Sequence, residues 1–248
     1  MRESLVRILT LTGRNIKEIL RDPLSFLFML ALPLGMEILF YFVFHKLTPQ
    51  FEMKYLAPGI VVFSQAFLSL FAGLLLALDK ATAFLTRLFV SQTKPHEFIF
   101  GYALSLLPIT LAQSVLFFVI GGLIDPSLFG LGMIWAIPLS LVTSLLFIGL
   151  GILIGSLCNE KSVGGVASVI IMCQSVLSGM WFPLEGMGKE IVTFMKYLPF
   201  KNATDLIRNI VNGIGDPPLW KPLIVVLLYT AAALIAAILA FRSKMRAK

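Results

Sequence analysis

Six stretches of this 248-residue chain are apolar over the length a helix needs to cross a bilayer. No other feature limits the fold as strongly. A hydrocarbon core about 30 Å thick takes about 20 helical residues. The stretches are Leu24–Phe44, Tyr55–Leu78, Phe98–Ile124, Gly132–Leu157, Ser162–Trp181 and Trp220–Phe241. Charged residues make up 13% of the chain, against about 25% in a typical soluble domain. The predicted fold is therefore an all-α integral membrane protein: one transmembrane domain over residues 1–248, with six spanning helices.

The connections set the topology. With the first segment inside, the inner segments carry thirteen Lys and Arg: Arg2, Arg7, Arg14, Lys17 and Arg21, then Lys80, Arg87 and Lys94, then Lys161, then Arg242, Lys244, Arg246 and Lys248. The outer segments carry six, spread over more chain. The positive-inside rule then puts both termini in the cytoplasm. The same rule explains the net charge of +7 without invoking nucleic acid. Residues 1–23 lack the apolar core of a cleavable signal.

Three stretches outside the spans have a pattern of their own. In residues 1–23, Leu5, Ile8, Leu9, Ile16, Ile19 and Leu20 recur at helical spacing among basic residues. This predicts an amphipathic elbow helix in the headgroup plane, with its basic residues toward lipid phosphates. Segment 79–97 is a long inner loop containing Phe84, Leu85, Leu88, Phe89 and Val90, interrupted by Arg87. A short surface helix for a soluble partner and one resting on lipid fit it equally. Segment 182–219 holds two stretches too short to span, Ile191–Leu198 and Ala203–Val211, with Pro199 between them and Gly213 and Gly215 after. They read as outer re-entrant or interfacial helices.

Motifs for chemistry are absent. No G-x-x-x-x-G-K-[ST] occurs, and Gly186-Met187-Gly188-Lys189-Glu190 lacks the hydroxyl a magnesium ion needs. Cys158, Cys173 and the two His are too scattered to form a metal site. The predicted chain has no catalytic residue and binds no metal or cofactor directly. Intramembrane polar residues stand out instead. Glu37 lies within the first span, with Pro33 and Tyr41 on its face, and reads as either a pathway group or a structural hydrogen bonder. Gln65, Gln113 and Gln174 each face the same choice. Gly151-Ile152-Leu153-Ile154-Gly155 permits close helix approach, more readily within one subunit than across a dimer.

Three groups of residues together resemble the membrane subunits of type-2 ABC exporters, over almost the whole chain. The first is Lys17-Glu18-Ile19-Leu20-Arg21-Asp22-Pro23, leading to Pro33. The second is Leu85-Thr86-Arg87-Leu88-Phe89-Val90-Ser91 before Pro95. The third is Ser178-Gly179-Met180-Trp181-Phe182-Pro183, then Leu198-Pro199-Phe200, then Asp205-Leu206-Ile207-Arg208 and Gly213. Asp79-Lys80-Ala81-Thr82-Ala83 departs from the family's acidic, glycine-containing run, and Lys201-Asn202 from its small or hydroxyl residues after the proline.

The resemblance implies a permease half in a plasma membrane, as in a bacterial cell membrane, paired with a second copy or a sister permease. It implies two separate ATPase subunits that bring ATP and magnesium. It places Glu37, Tyr41, Gln65, Gln174 and Ser178 near the substrate pathway. Phe84, Leu85, Arg87, Leu88 and Phe89 become ATPase-coupling residues, and Trp181, Phe182, Pro183, Pro199, Asp205 and Arg208 an outer gate. The expected function is export of a hydrophobic or amphipathic substrate, such as a drug, antibiotic, peptide or lipid-linked molecule. The alternative is an ion-coupled secondary transporter or channel, with Glu37 as its proton-sensitive group. A lipid-modifying membrane enzyme is the least supported reading, since the polar groups are scattered singles.

Overall fold

The computed structural model describes residues 2–82, 94–182, 186, 188–215 and 218–246. Every regular element among them is helical. In chain order they are α1 (Arg2–Leu20), α2 (Pro23–Phe44), α3 (Met53–Ala81), α4 (Pro95–Ile124), α5 (Leu131–Leu157), α6 (Glu160–Leu177), α7 (Lys189–Tyr197), α8 (Pro199–Asn212) and α9 (Trp220–Arg246), with 3-10 turns at Pro49–Phe51 and Pro126–Leu128. Helices α3, α4, α5, α6 and α9 are long and apolar enough to cross a membrane. Helix α2 has 22 residues, and its apolar part among the described side chains, Met29–Phe44, is shorter.

Local chemistry explains most of the boundaries. Pro95 and Pro199 stand in the first turns of α4 and α8, where a missing N–H costs nothing. Lys94 N–H donates to the Glu97 carboxylate at 3.0 Å, capping α4. Asn159 caps α6 by accepting from Ser162 N–H at 3.1 Å. Gly213 ends α8 at φ +64°, a left-handed conformation that favours glycine. The sequence runs fell within a few residues of these limits. The differences are that α3 continues to Ala81, α4 starts at Pro95, α6 stops at Leu177 and α9 continues to Arg246. The connection within segment 79–97 is therefore shorter than its limits suggested.

Helix α3 is the hub, packing against α2, α4, α5, α6 and α8. Of its apolar window 78% is buried, against 17% for α6, which lies at the edge of the bundle. Small residues bring α3 and α5 into backbone contact. A Cβ on Gly155 would lie 2.6 Å from the Gly73 carbonyl oxygen, and one on Gly73 would lie 3.1 Å from the Gly151 carbonyl oxygen. The G-x-x-x-G motif thus packs within the subunit. Gly164 and Gly165 of α6 have open space beside them, and Val166, Val169, Met172 and Val176 are exposed on the same helix.

At mid-bundle a polar ladder fastens four helices. Gln65 donates to the Ser140 carbonyl at 3.0 Å and accepts from Thr143 Oγ1 at 2.8 Å. Ser140 and Ser114 share a hydrogen bond at 2.7 Å. Gln113 donates to the Met29 carbonyl at 3.4 Å, reaching α2. Buried polar groups in apolar surroundings need such partners, so the ladder fixes the rotation of α3 against α5 and α4.

Candidate functional site

The two ends of the bundle differ in construction. At the end where α3 begins, α8 forms a cap over the start of α3 and the turn after α6. Arg208 ties it down. Its Nε donates to the Tyr55 carbonyl at 3.0 Å, and its two Nη groups donate to the Gly179 carbonyl at 3.1 Å and the Met180 carbonyl at 3.3 Å. Gln50 also donates to the Gly179 carbonyl. Asn212 donates to the Lys54 carbonyl at 2.9 Å. Gly179 has φ +69°, so the chain reverses sharply there and presents adjacent carbonyls to one guanidinium.

Around this turn the structure brings together several predicted residues. Gln174 donates to Thr204 Oγ1 at 3.0 Å, linking α6 to α8. Ser178 accepts from Met180 N–H at 3.2 Å. Trp181 donates from Nε1 to Ser175 Oγ at 2.8 Å, and its ring lies 4.6 Å from Phe40 and 5.7 Å from Phe63. Phe182 is exposed. Pro199 opens α8, and Asp205 pairs with Lys201 at 2.6 Å. The departure at Lys201-Asn202 has local uses: besides that pair, Asn202 donates to the Lys196 and Leu198 carbonyls at 2.8 and 2.7 Å.

The other predicted residues lie elsewhere. Gln65 belongs to the mid-bundle ladder. Glu37 is buried on α2, and both its carboxylate oxygens lack a partner among the described residues. It occupies room left by Gly121 of α4, where a Cβ would lie 2.9 Å from Glu37 Oε1. Tyr41 stacks on His45 at 4.6 Å. Pro183 and the segment holding Phe84, Leu85, Arg87, Leu88 and Phe89 lie outside the described residues.

The order of these parts is that of one known family. The family model for the ABC-2 type transporter matches residues 6–212, from α1 to the last residue of α8. The chain belongs to the ABC-2 type transporter family. A search of curated proteins gave no match. The chain is thus a multi-pass membrane permease component of an ABC transporter, and members of this family work with ABC ATPase subunits.

The opposite end of this ABC-2 permease carries a charged group whose pairing the sequence did not show. Asp79, in the last turn of α3, is buried. Arg14 of α1 grips it with both Nη groups, at 2.5 and 2.7 Å, and Tyr102 of α4 donates its hydroxyl to the same carboxylate. Arg14 also pairs with Glu18 at 2.5 Å. Arg7 lies 3.4 Å from buried Glu97 of α4. Two basic residues expected to meet lipid phosphates therefore meet acids of their own chain. Lys80 donates to the Gly155, Ser156 and Cys158 carbonyls at 2.6, 3.0 and 2.6 Å, closing the C-terminal end of α5. The sequence signal was there in Asp79 and Lys80, two charges at the end of an apolar run.

Proposed function

We propose that this ABC-2 permease is a six-span half-transporter with both termini in the cytoplasm of a bacterial cell. A separate pair of ATPase subunits, which bind ATP and magnesium, would drive it to export a hydrophobic or amphipathic substrate. The observation that carries the reading is the family match over residues 6–212, which takes in α1, the segment between α3 and α4, and the α8 cap. Helix α2 counts as the first span: its 22 residues, at about 1.5 Å each, reach about 33 Å. The α8 cap, with Arg208, Trp181 and Pro199, is the proposed outer gate. Of the pathway residues, Tyr41, Gln174 and Ser178 are proposed to line the route beside α6. Gln65 fastens helices instead, and Glu37 lines the route only after α2 separates from α4. The open face of α6 at Gly165, Val169, Met172 and Val176 supports a second copy or a sister permease there.

Residues Phe84, Leu85, Arg87, Leu88 and Phe89 are the proposed ATPase contact. Changing Arg87→Glu together with Leu88→Asp puts acid into that proposed contact. The double variant is expected to reach the membrane in normal amount and to lose most of its bound ATPase on affinity purification. Undiminished recovery of the ATPase would remove this segment from the interface.

A further inference from the structure

The charged group at the α1 end joins parts of the chain that the proposed coupling segment separates. Asp79 lies two residues before the end of α3, and Glu97 is the third residue of α4. The two acids stand at the two stems of residues 83–93. Both are paired with arginines from one helix. Arg7 and Arg14 are seven residues apart, two turns or about 10 Å along the same face of α1. Between them Leu11 is buried against Gly101 of α4, where a Cβ would lie 2.9 Å from the Leu11 Cβ. Thr12 Oγ1 donates to the Gly101 carbonyl at 3.3 Å. Tyr102, one residue on, reaches across to Asp79 and joins the two stems directly.

This is more than an interfacial helix needs. A helix resting on lipid requires an apolar face and basic flanks, not two arginines matched to two buried acids. Desolvating Asp79 and Glu97 is costly unless each keeps its charged partner, so the pairs fix the spacing of the stems rather than merely adding adhesion. The Arg14 fork also fixes orientation, because it engages both oxygens of one carboxylate.

We propose that α1 is a cross-brace. Through Arg14–Asp79–Tyr102 and Arg7–Glu97 it makes the ends of α3 and α4 move as one body, so that motion delivered to the coupling segment reaches the far cap. Arg7 and Arg14 are positioning residues for energy coupling. The inference rests on reading residues 83–93 as the ATPase contact.

The test uses the full chain assembled with the ABC ATPase that co-purifies with it, in proteoliposomes, and needs no knowledge of the substrate. Cys158 and Cys173 are replaced by serine, and a single reporter is introduced at the cap as Phe182→Cys. The readouts are ATP hydrolysis and the rate of maleimide labelling of the reporter, with and without ATP and vanadate. With the brace intact, nucleotide changes the labelling rate. In Arg14→Ala the ATPase is expected to remain bound and to hydrolyse ATP within about twofold of the parent, while the nucleotide effect on labelling falls roughly tenfold. Exchanging the charges, Arg14→Asp with Asp79→Arg, is expected to restore part of the effect, since Tyr102 loses its acceptor and Glu18 its partner.

A nucleotide effect unchanged in the combined Arg7→Ala and Arg14→Ala variant would overturn the proposal. So would hydrolysis and labelling falling in parallel, the mark of a merely structural role. If Arg14→Ala does not fold, Arg14→Lys keeps the charge without the fork and must still weaken the nucleotide effect relative to hydrolysis. If the parent shows no nucleotide effect while its ATPase is bound, it is the reading of the coupling segment that fails.

Discussion

Arg208→Ala detaches the α8 cap. The wild-type guanidinium satisfies three carbonyls from two separate parts of the chain, Tyr55 on one side and Gly179 and Met180 on the other. A hydrogen bond from a charged donor contributes about 1.5–3 kcal/mol, and an acceptor left unpaired in a buried place adds its own penalty. The three bonds act as a unit and do not simply add, so the expected loss is about 3–5 kcal/mol. Arg208→Lys supplies charge but not a fork that reaches three acceptors, and should recover only part of it. Thermal unfolding of the purified chain measures the loss. Trp181 reports where it occurs: its ring sits among Phe40, Phe51 and Phe63, so release of the cap should shift its emission to longer wavelength. An unchanged melting temperature in Arg208→Ala would mean that packing and the Asn212 and Gln174 hydrogen bonds hold the cap without it.

The second large effect is at the α3–α5 seam. Gly151 sits so close to the Ser69 backbone that no Cβ fits, and Gly155 meets Gly73 in the same way. Backbone cannot rotate aside as a flexible side chain can. Overpacking a tight core costs about 1–3 kcal/mol and sometimes more. Gly151→Leu adds four heavy atoms where not even one fits, and it also pulls apart the Gln65, Ser140 and Thr143 ladder. The expected outcome is no folded protein recovered from the membrane. Gly165→Leu is the control, since open space adjoins that glycine. It should leave the single chain folded, while weakening pairing if a second copy covers α6. Similar recovery of both variants would contradict the seam.

These residues show what the sequence made legible and what it did not. The helix positions were readable because crossing a hydrocarbon layer demands about 20 consecutive apolar residues, and little else produces such runs. The Gly151 and Gly155 seam was readable for a similar reason: small residues at that spacing have few other uses in a long apolar helix. The motif around Trp181 and Arg208 was recognisable as a unit, and the structure gathers most of it at one turn. What Arg208 binds was not readable, because its acceptors are backbone carbonyls, which every residue carries. Gln65 illustrates the converse limit. A buried amide in a span fits both a pathway and a helix fastener, and only the structure shows that its partners are Ser140 and Thr143. Asp79 and Arg14 are 65 residues apart, and a basic residue on an amphipathic helix is by default assigned to lipid; the pair becomes visible only once α1 is laid against α3 and α4.

Purification of the chain from its native membranes tests the central claim most directly. The account predicts that an ABC ATPase accompanies it in equal amount and that the complex hydrolyses ATP with vanadate sensitivity. A chain recovered free of any ATPase, without ATP hydrolysis, that passes ions across a planar bilayer in response to a gradient would contradict it and establish the ion-coupled alternative.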